Sequence, residues 1–265
     1  MHLSFTQVVE GPKALRRCLK RLIRGGTELI IVAGGDGTMT AAAGHLARSR
    51  AVLGVLPMGT GNSFALSLGI ADLPAAVDAI AGGRTVKIDL GKVNGTYFAN
   101  FATIGLSSRI AAATPNRLKK IVGAAAYVLA GVIPGLRSRP FDCRVRSGEL
   151  EMELQTFQVI VANGRYFGRT PLAANASLDS GKLLLYATSD NSIADAAKTY
   201  ASLLFERQHD LPNAHVLEAA KLSVRTRPRQ LLAIDGEICG KTPARFSIVP
   251  AALRVRVPAA SDALA

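Results

Sequence analysis

The chain has no tryptophan, and aromatic residues of all kinds make up 5% of its 265 residues. Proteins that hold single-stranded nucleic acid stack bases on aromatic side chains, and no basic run here is interleaved with such residues, which speaks against a nucleic-acid partner. Cysteine is scarce: Cys18, Cys143 and Cys239 are too few, and odd in number, for a disulfide scaffold. A reducing, cytoplasmic setting follows. The 4 histidines show no zinc spacing with cysteine, so His45, His209 and His215 are read as surface or packing residues. Long apolar runs are missing too. The longest uncharged stretch, Ile121–Leu136, contains Gly131, Pro134 and Gly135 and falls short of the roughly 20 residues a membrane span needs; it reads as a buried or interfacial helix. Met1–Glu10 lacks the basic and apolar regions of a signal peptide. The expected setting is cytoplasmic, with at most peripheral contact at the inner membrane surface.

What is present is apolar content of 49%, with 25 glycines and 12 prolines and no fixed repeat, enough to exclude disorder and solenoids. Acidic residues number 19 against 32 Lys and Arg, a net charge of +13. Such an excess suits an anionic membrane surface, a phosphate-bearing ligand or nucleic acid, and it also arises with no anionic partner at all.

Periodicity organises the chain. Leu3–Val9 reads as a short strand. Lys13–Arg24 reads as a helix, with Leu15, Cys18, Leu19, Leu22 and Ile23 on one face and Arg16, Arg17, Lys20, Arg21 and Arg24 covering the rest. Such a helix packs on a sheet or lies on a membrane. Glu28–Ala33 and Ala51–Leu56 are apolar, β-branched runs of the kind buried in parallel sheets. Each feeds a glycine loop and then a helix, over Met39–Ala47 and Ser63–Leu68. Two strand–loop–helix units in tandem predict an open α/β domain over residues 1–88. Beyond it, Asn94-Gly95 signals a hairpin. Strands are expected over Phe141–Val145, Glu151–Val161, Lys182–Ala187, Lys221–Thr226 and Leu231–Ile234, with helices over Leu118–Ile133 and Ile193–Phe205. A mainly antiparallel second domain over residues 89–250 follows, with residues 251–265 returning to the first.

The loop Gly34-Gly35-Asp36-Gly37-Thr38 joins a buried strand to a helix. Glycines permit close backbone approach, and free amides at a helix start cradle an anion. Asp36 would repel phosphate unless a divalent cation stood between them. Alone, this loop reads equally as a tight turn with Asp36 as a helix cap. A second loop, Gly59-Thr60-Gly61-Asn62, ends a strand at the same sheet edge, where open α/β sheets bind ligands. Neither is a Walker loop or a dinucleotide fingerprint.

Gly34–Thr40, followed by Leu56-Pro57-Met58-Gly59-Thr60-Gly61-Asn62-Ser63-Phe64-Ala65, resembles the diacylglycerol kinase catalytic-domain family, which includes bacterial lipid kinases, diacylglycerol kinases and sphingosine kinases. The resemblance continues through Lys87-Ile88-Asp89-Leu90-Gly91, Tyr97-Phe98-Ala99-Asn100, Ile234-Asp235-Gly236-Glu237 and Val249-Pro250-Ala251-Ala252-Leu253. It implies an α/β + β kinase: an ATP-binding α/β domain and a β-sandwich-like lipid domain. By position Gly34, Gly35, Asp36, Gly37, Thr38, Met39 and Thr40, with Gly59, Thr60 and Asn62, would hold ATP. Asp36 and Asp89 would organise Mg2+, and Glu237 would accept a proton beside its partner Asp235. A lipid hydroxyl at a membrane surface would be the acceptor, diacylglycerol-like or sphingoid-like, and Ile121–Leu136 a wall of its pocket; the family reading leaves room for a homodimer. Asp-Gly-Glu by itself reads as a hairpin turn.

Three departures stand out. The family opens with a strand and an Asn-Pro-x-Ser-Gly-like phosphate loop, whereas this sequence begins near the second strand. Ser63 stands where many members have Asp. Asp179-Ser180-Gly181-Lys182 resembles a structural metal loop that usually has Asp at Ser180, so no metal is expected there. The alternatives are an NAD-kinase-type nucleotide kinase, which shares the Gly-Gly-Asp-Gly loop, and a non-catalytic lipid- or nucleotide-binding module.

Overall fold

A computed structural model of the chain describes residues 5–113, 139–163, 166–167, 170–171, 177–189, 192 and 213–261. The helices expected over Leu118–Ile133 and Ile193–Phe205, the stretch Ile121–Leu136 and His209 lie outside these residues.

Helix α1 (Gly11–Arg24) carries Pro12 in its first turn, where a missing N–H breaks no helical bond. It turns Leu15 and Leu19 into the core. Residues 5–10 form no strand, in contrast to the expectation over Leu3–Val9. Their side chains clasp α1 instead: Arg21 donates to Gln7 Oε1 at 2.8 Å and stacks over the Phe5 ring. Next come β1 (Leu29–Gly34), α2 (Asp36–Leu46), β2 (Val52–Pro57) and α3 (Ser63–Ser67). β1 and β2 pair in parallel, from Leu29 opposite Val52 to Gly34 opposite Pro57, so both strands end at the same edge. α2 starts at Asp36, three residues earlier than the periodicity predicts, because glycines at its start carry no apolar signal. Met39, Ala42, Ala43 and Leu46 of α2 pack with Leu53, Val55, Phe64 and Leu68. A helix that periodicity missed, α4 (Leu73–Gly82), is capped by Asp72, which accepts from the Ala75 N–H at 2.9 Å.

The second half contributes β3 (Arg84–Val93), β4 (Thr96–Phe98), β5 (Phe101–Gly105), α5 (Leu106–Ala113), β6 (Phe141–Ser147), β7 (Leu150–Thr156), β8 (Gln158–Ala162), β9 (Tyr166–Phe167), β10 (Thr170–Pro171), β11 (Leu183–Thr188), β12 (Ala214–Ala219), β13 (Lys221–Arg227), β14 (Leu231–Ile234), β15 (Glu237–Lys241) and β16 (Ala244–Val257). Asn94 and Gly95 take φ of 47° and 93° and turn β3 into β4. The run expected as one strand over Glu151–Val161 is two. The chain crosses from one sheet to the other at the buried Phe157, so β7 lies in the first sheet and β8 in the second.

The first sheet runs β1-β2-β16-β13-β6-β7, with β3 on β16 and β4 on β3. The second runs β12-β11-β8-β5-β14-β15. β16 belongs to both halves of the molecule. Its end pairs in parallel with β2 through Arg254 and Val255, and its start pairs antiparallel with β13 through Ala244–Ser247. Phe98, Phe246, Val145 and Val224 from the first sheet pack against Ile104, Val161, Leu185 and Leu232 from the second. That apolar layer makes the second half a sandwich. The architecture is α/β followed by antiparallel β.

Candidate active site

The carboxyl ends of β1 and β2 place two glycine loops side by side. A Cβ on Gly59 would stand 2.6 Å from the Gly35 Cα, so the two backbones touch at a separation that only glycine allows. Asn62 braces the second loop from within: its Oδ1 accepts from the Gly59 N–H at 2.8 Å, and its Nδ2 donates to the Gly59 oxygen at 2.9 Å. With both ends of its amide spent, Asn62 shapes the loop rather than touching a ligand. Thr60 at the tip is exposed.

Gly35 is the N-cap of α2 and supplies no side-chain cap. The amides of Asp36, Gly37 and Thr38 therefore point out of the helix without intrahelical acceptors, at its positive end. Met39 corrects the sequence expectation. Its side chain is buried in the core and its N–H donates to the Gly35 oxygen at 3.0 Å, so neither reaches the loop surface. Thr40 is also buried, and its hydroxyl donates to Asp235 Oδ2.

Asp36 ties the loops together. Its Oδ1 accepts from the Phe64 N–H at 3.1 Å, in the first turn of α3, and from Asn100 Nδ2 at 3.4 Å. Its Oδ2 lies over Gly61, 2.9 Å from where a Cβ would stand.

The second half of the chain meets this edge through the β14–β15 hairpin. Asp235 and Gly236 form its two-residue turn, with φ of 45° and 82°, the positive values that a type I′ turn requires. The hairpin is thus both the turn that Asp-Gly signals and the carrier of two acids. Asp235 Oδ1 accepts from the Phe101 N–H at 3.1 Å while Oδ2 takes the Thr40 hydroxyl. Glu237 is exposed and reaches across to α2: a Cβ on Gly37 would lie 3.1 Å from its Oε1. The structure therefore gathers Gly35, Asp36, Gly37, Thr40, Asp235 and Glu237 at one place, from both halves of the chain.

Burial drives the Asp235 carboxyl up to about 7, with the charge of Asp36 adding to the shift; hydrogen bonds from Thr40, Phe101 and Asn100 oppose it. Its folded pKa then lies above the usual carboxylate value near 4. Between about pH 4 and pH 7 the folded state binds more protons than the unfolded chain, so this group's effect is to lower stability as pH rises through that window. Asp235→Asn, which cannot ionise, is expected to match the parent at pH 4 and to gain on it up to about pH 7. Urea midpoints across that range measure this, and parallel curves would show that Asp235 ionises at no cost.

Asp89 stands apart from this cluster. Its Oδ1 accepts from the Ala251 N–H and its Oδ2 from the Gly181 N–H, each at 2.8 Å, and its own N–H donates to the Leu178 oxygen at 2.7 Å. Both carboxylate oxygens are engaged in joining the β16 bulge to the Ser177–Lys182 loop. No group of three or more His, Cys, Asp or Glu side chains suited to a metal occurs among the described residues. The residues at Asp36 nonetheless fit a magnesium ion shared with substrate phosphate, which takes few protein ligands. Among the described residues Asp36 keeps Oδ2 free of hydrogen bonds, and the fully buried Asn100 beside it has an Oδ1 with no partner. In the sequence Asn100 stands out only as part of a motif, because a buried amide between two acids has no periodic signature.

No helix among the described residues is long and apolar enough to cross a membrane. Residues 2–93 match the family described as "Diacylglycerol kinase catalytic domain", and residues 100–257 the family described as "YegS C-terminal NAD kinase beta sandwich-like domain". A protein of Pseudomonas aeruginosa named "Probable lipid kinase YegS-like" is 35% identical over 94% of this chain and 83% of its own length. A "Diacylglycerol kinase" of Staphylococcus epidermidis is 32% identical over 86% and 73%. A Bacillus anthracis crystal structure with a provisional diacylglycerol kinase name superposes with a TM-score of 0.80 at 25% identity, covering 97% of this chain and 84% of that one. With both halves matched in order and relatives aligned over most of their length, the chain belongs to the family of diacylglycerol kinases and YegS-like lipid kinases.

Proposed function

We propose that the protein transfers the γ-phosphoryl group of ATP to the hydroxyl of a lipid, diacylglycerol-like first and sphingoid-like second, while in peripheral contact with a membrane surface. One observation carries the reading: Glu237, on a hairpin of the second half, stands against the phosphate-loop glycine Gly37 at the start of α2. An acceptor hydroxyl placed there would lie between a proton-accepting carboxylate and a cradle for phosphate, as phosphoryl transfer demands.

The amides of Asp36, Gly37 and Thr38 bind phosphate oxygens at the helix start. The exposed Thr60 hydroxyl closes over them from the second loop. Asp36, with Asn100 behind it, would hold magnesium, which neutralises charge on the phosphate oxygens. Glu237 orients the acceptor hydroxyl and takes its proton. Asp235, locked by Thr40 and the Phe101 amide, fixes the turn that aims Glu237.

The reading is tested with labelled ATP and magnesium in mixed micelles, offering diacylglycerol, a sphingoid base and NAD in parallel. Lipid-dependent product is expected. A product formed from NAD alone would favour the nucleotide-kinase alternative, whose sandwich the description of the second matched family names. No product with any acceptor would favour a non-catalytic binding module.

A further inference from the structure

The charge on α1 has no counterpart among the described residues. Lys13, Arg16, Arg17, Lys20, Arg21 and Arg24 are all exposed, and the helix contains no acidic residue. The four ion pairs among the described residues all lie on the second half, at Arg144, Arg146 and Lys182. Arg21 meets Gln7 and Phe5. For the other five cations the described residues supply neither an acid nor a hydrogen bond. The field reaches the next helix: burial and then the charges of Arg16 and Lys20 hold His45 of α2 below the usual histidine value.

A second observation belongs to the same patch. Residues 5–10 run beside α1, tied to it by Gln7 through Arg21 and Cys18. In that segment Val9 packs on the core, whereas Val8 is 90% exposed and Phe5 48%. Apolar side chains raised beside a row of unpaired cations match a surface of anionic headgroups over acyl chains, because the two parts meet both layers of it. A nucleic-acid backbone would use the cations and leave Val8 with nothing. The other basic face, Arg225, Arg227 and Arg245 on β13 and β16, borders β6 and β7, where Asp142, Glu151 and Glu153 interrupt the charge.

Resting on the lipid-kinase reading, we infer that the exposed face of α1, with Val8 and Phe5 beside it, is the surface that docks the protein on anionic bilayers. The test is co-sedimentation of the full chain with phosphatidylglycerol vesicles at low salt, alongside phosphatidylcholine vesicles and a DNA duplex. Binding to phosphatidylglycerol alone is expected. A triple variant, Lys13→Gln, Arg17→Gln and Arg24→Gln, should weaken it about a hundredfold, at roughly 1 kcal/mol per cation. Val8→Ser should weaken it further. Arg225→Gln, Arg227→Gln and Arg245→Gln remove the same charge elsewhere and should cost less than about threefold. Equal losses in the two triple variants would overturn the assignment in favour of diffuse net charge. Parent protein that ignores phosphatidylglycerol, or prefers DNA, would overturn it outright. Circular dichroism confirms folding of the variants. Transfer to a short-chain acceptor in uncharged micelles should be unchanged, so a docking failure and a catalytic failure are read separately.

Discussion

Asp36→Ala is expected to reduce ATP-dependent transfer by about a thousandfold or more, with the fold intact. The size follows from the chemistry: charge stabilisation by a bound cation contributes several kcal/mol to such reactions, and Asp36 stands at the start of α2 with Oδ2 free of hydrogen bonds among the described residues. The variant also leaves the Phe64 N–H without its acceptor, which adds a smaller cost in stability of about 1 kcal/mol. Asp36→Asn separates the two effects. It can still accept from Phe64 but carries no charge, so it should regain stability and remain inactive. Activity against magnesium concentration, with urea midpoints for both variants, measures this.

Asp89→Ala is expected to act in the opposite way, on folding first. Two backbone N–H groups, of Ala251 and Gly181, depend on this buried carboxylate. Each orphaned donor costs about 1–3 kcal/mol, so a loss of about 2–6 kcal/mol is expected, a large part of the stability of a domain this size. Asp89→Asn keeps one acceptor and should lose less. The family resemblance suggests instead that Asp89 organises magnesium. The two roles differ in outcome: a metal role predicts a stable Asp89→Ala protein with altered magnesium dependence, and the joining role predicts an unstable one whose residual activity keeps the parent's magnesium dependence.

The first half was legible because strands β1 and β2 are continuous apolar runs and end in glycine loops, a pattern with few other meanings. The sandwich was legible as texture but not as topology. Nothing local says that Phe157 is a crossing point, or that β16 carries a bulge at Pro250–Ala252 and serves two halves of the molecule. At the site, sequence order supplied the names and the structure supplied the company they keep. Met39 sits in the motif yet faces the core, because one side of α2 must be buried. Asn62 sits in the motif yet holds its own loop. The roles of Asn100 and of the Phe64 and Phe101 amides have no local signature, since they depend on contacts across 28 to 134 positions. In the sequence Asp235 and Glu237 carry meaning through resemblance alone; in space their hairpin sets Glu237 against Gly37.

On the proposed reading, Glu237 works on an acceptor hydroxyl held against the α2 phosphate loop. The most direct measurement is single-turnover transfer by Glu237→Gln, paired with its ATP affinity. The Glu237 side chain is exposed, and its place in β15 rests on backbone pairing with Ile234 that Gln keeps, so the variant should fold as the parent does. ATP affinity is expected within about threefold of the parent, and transfer reduced about a hundredfold, the lower range for losing a general base. Transfer at the parent's rate, with ATP bound normally, would show that Glu237 takes no part in moving the acceptor's proton.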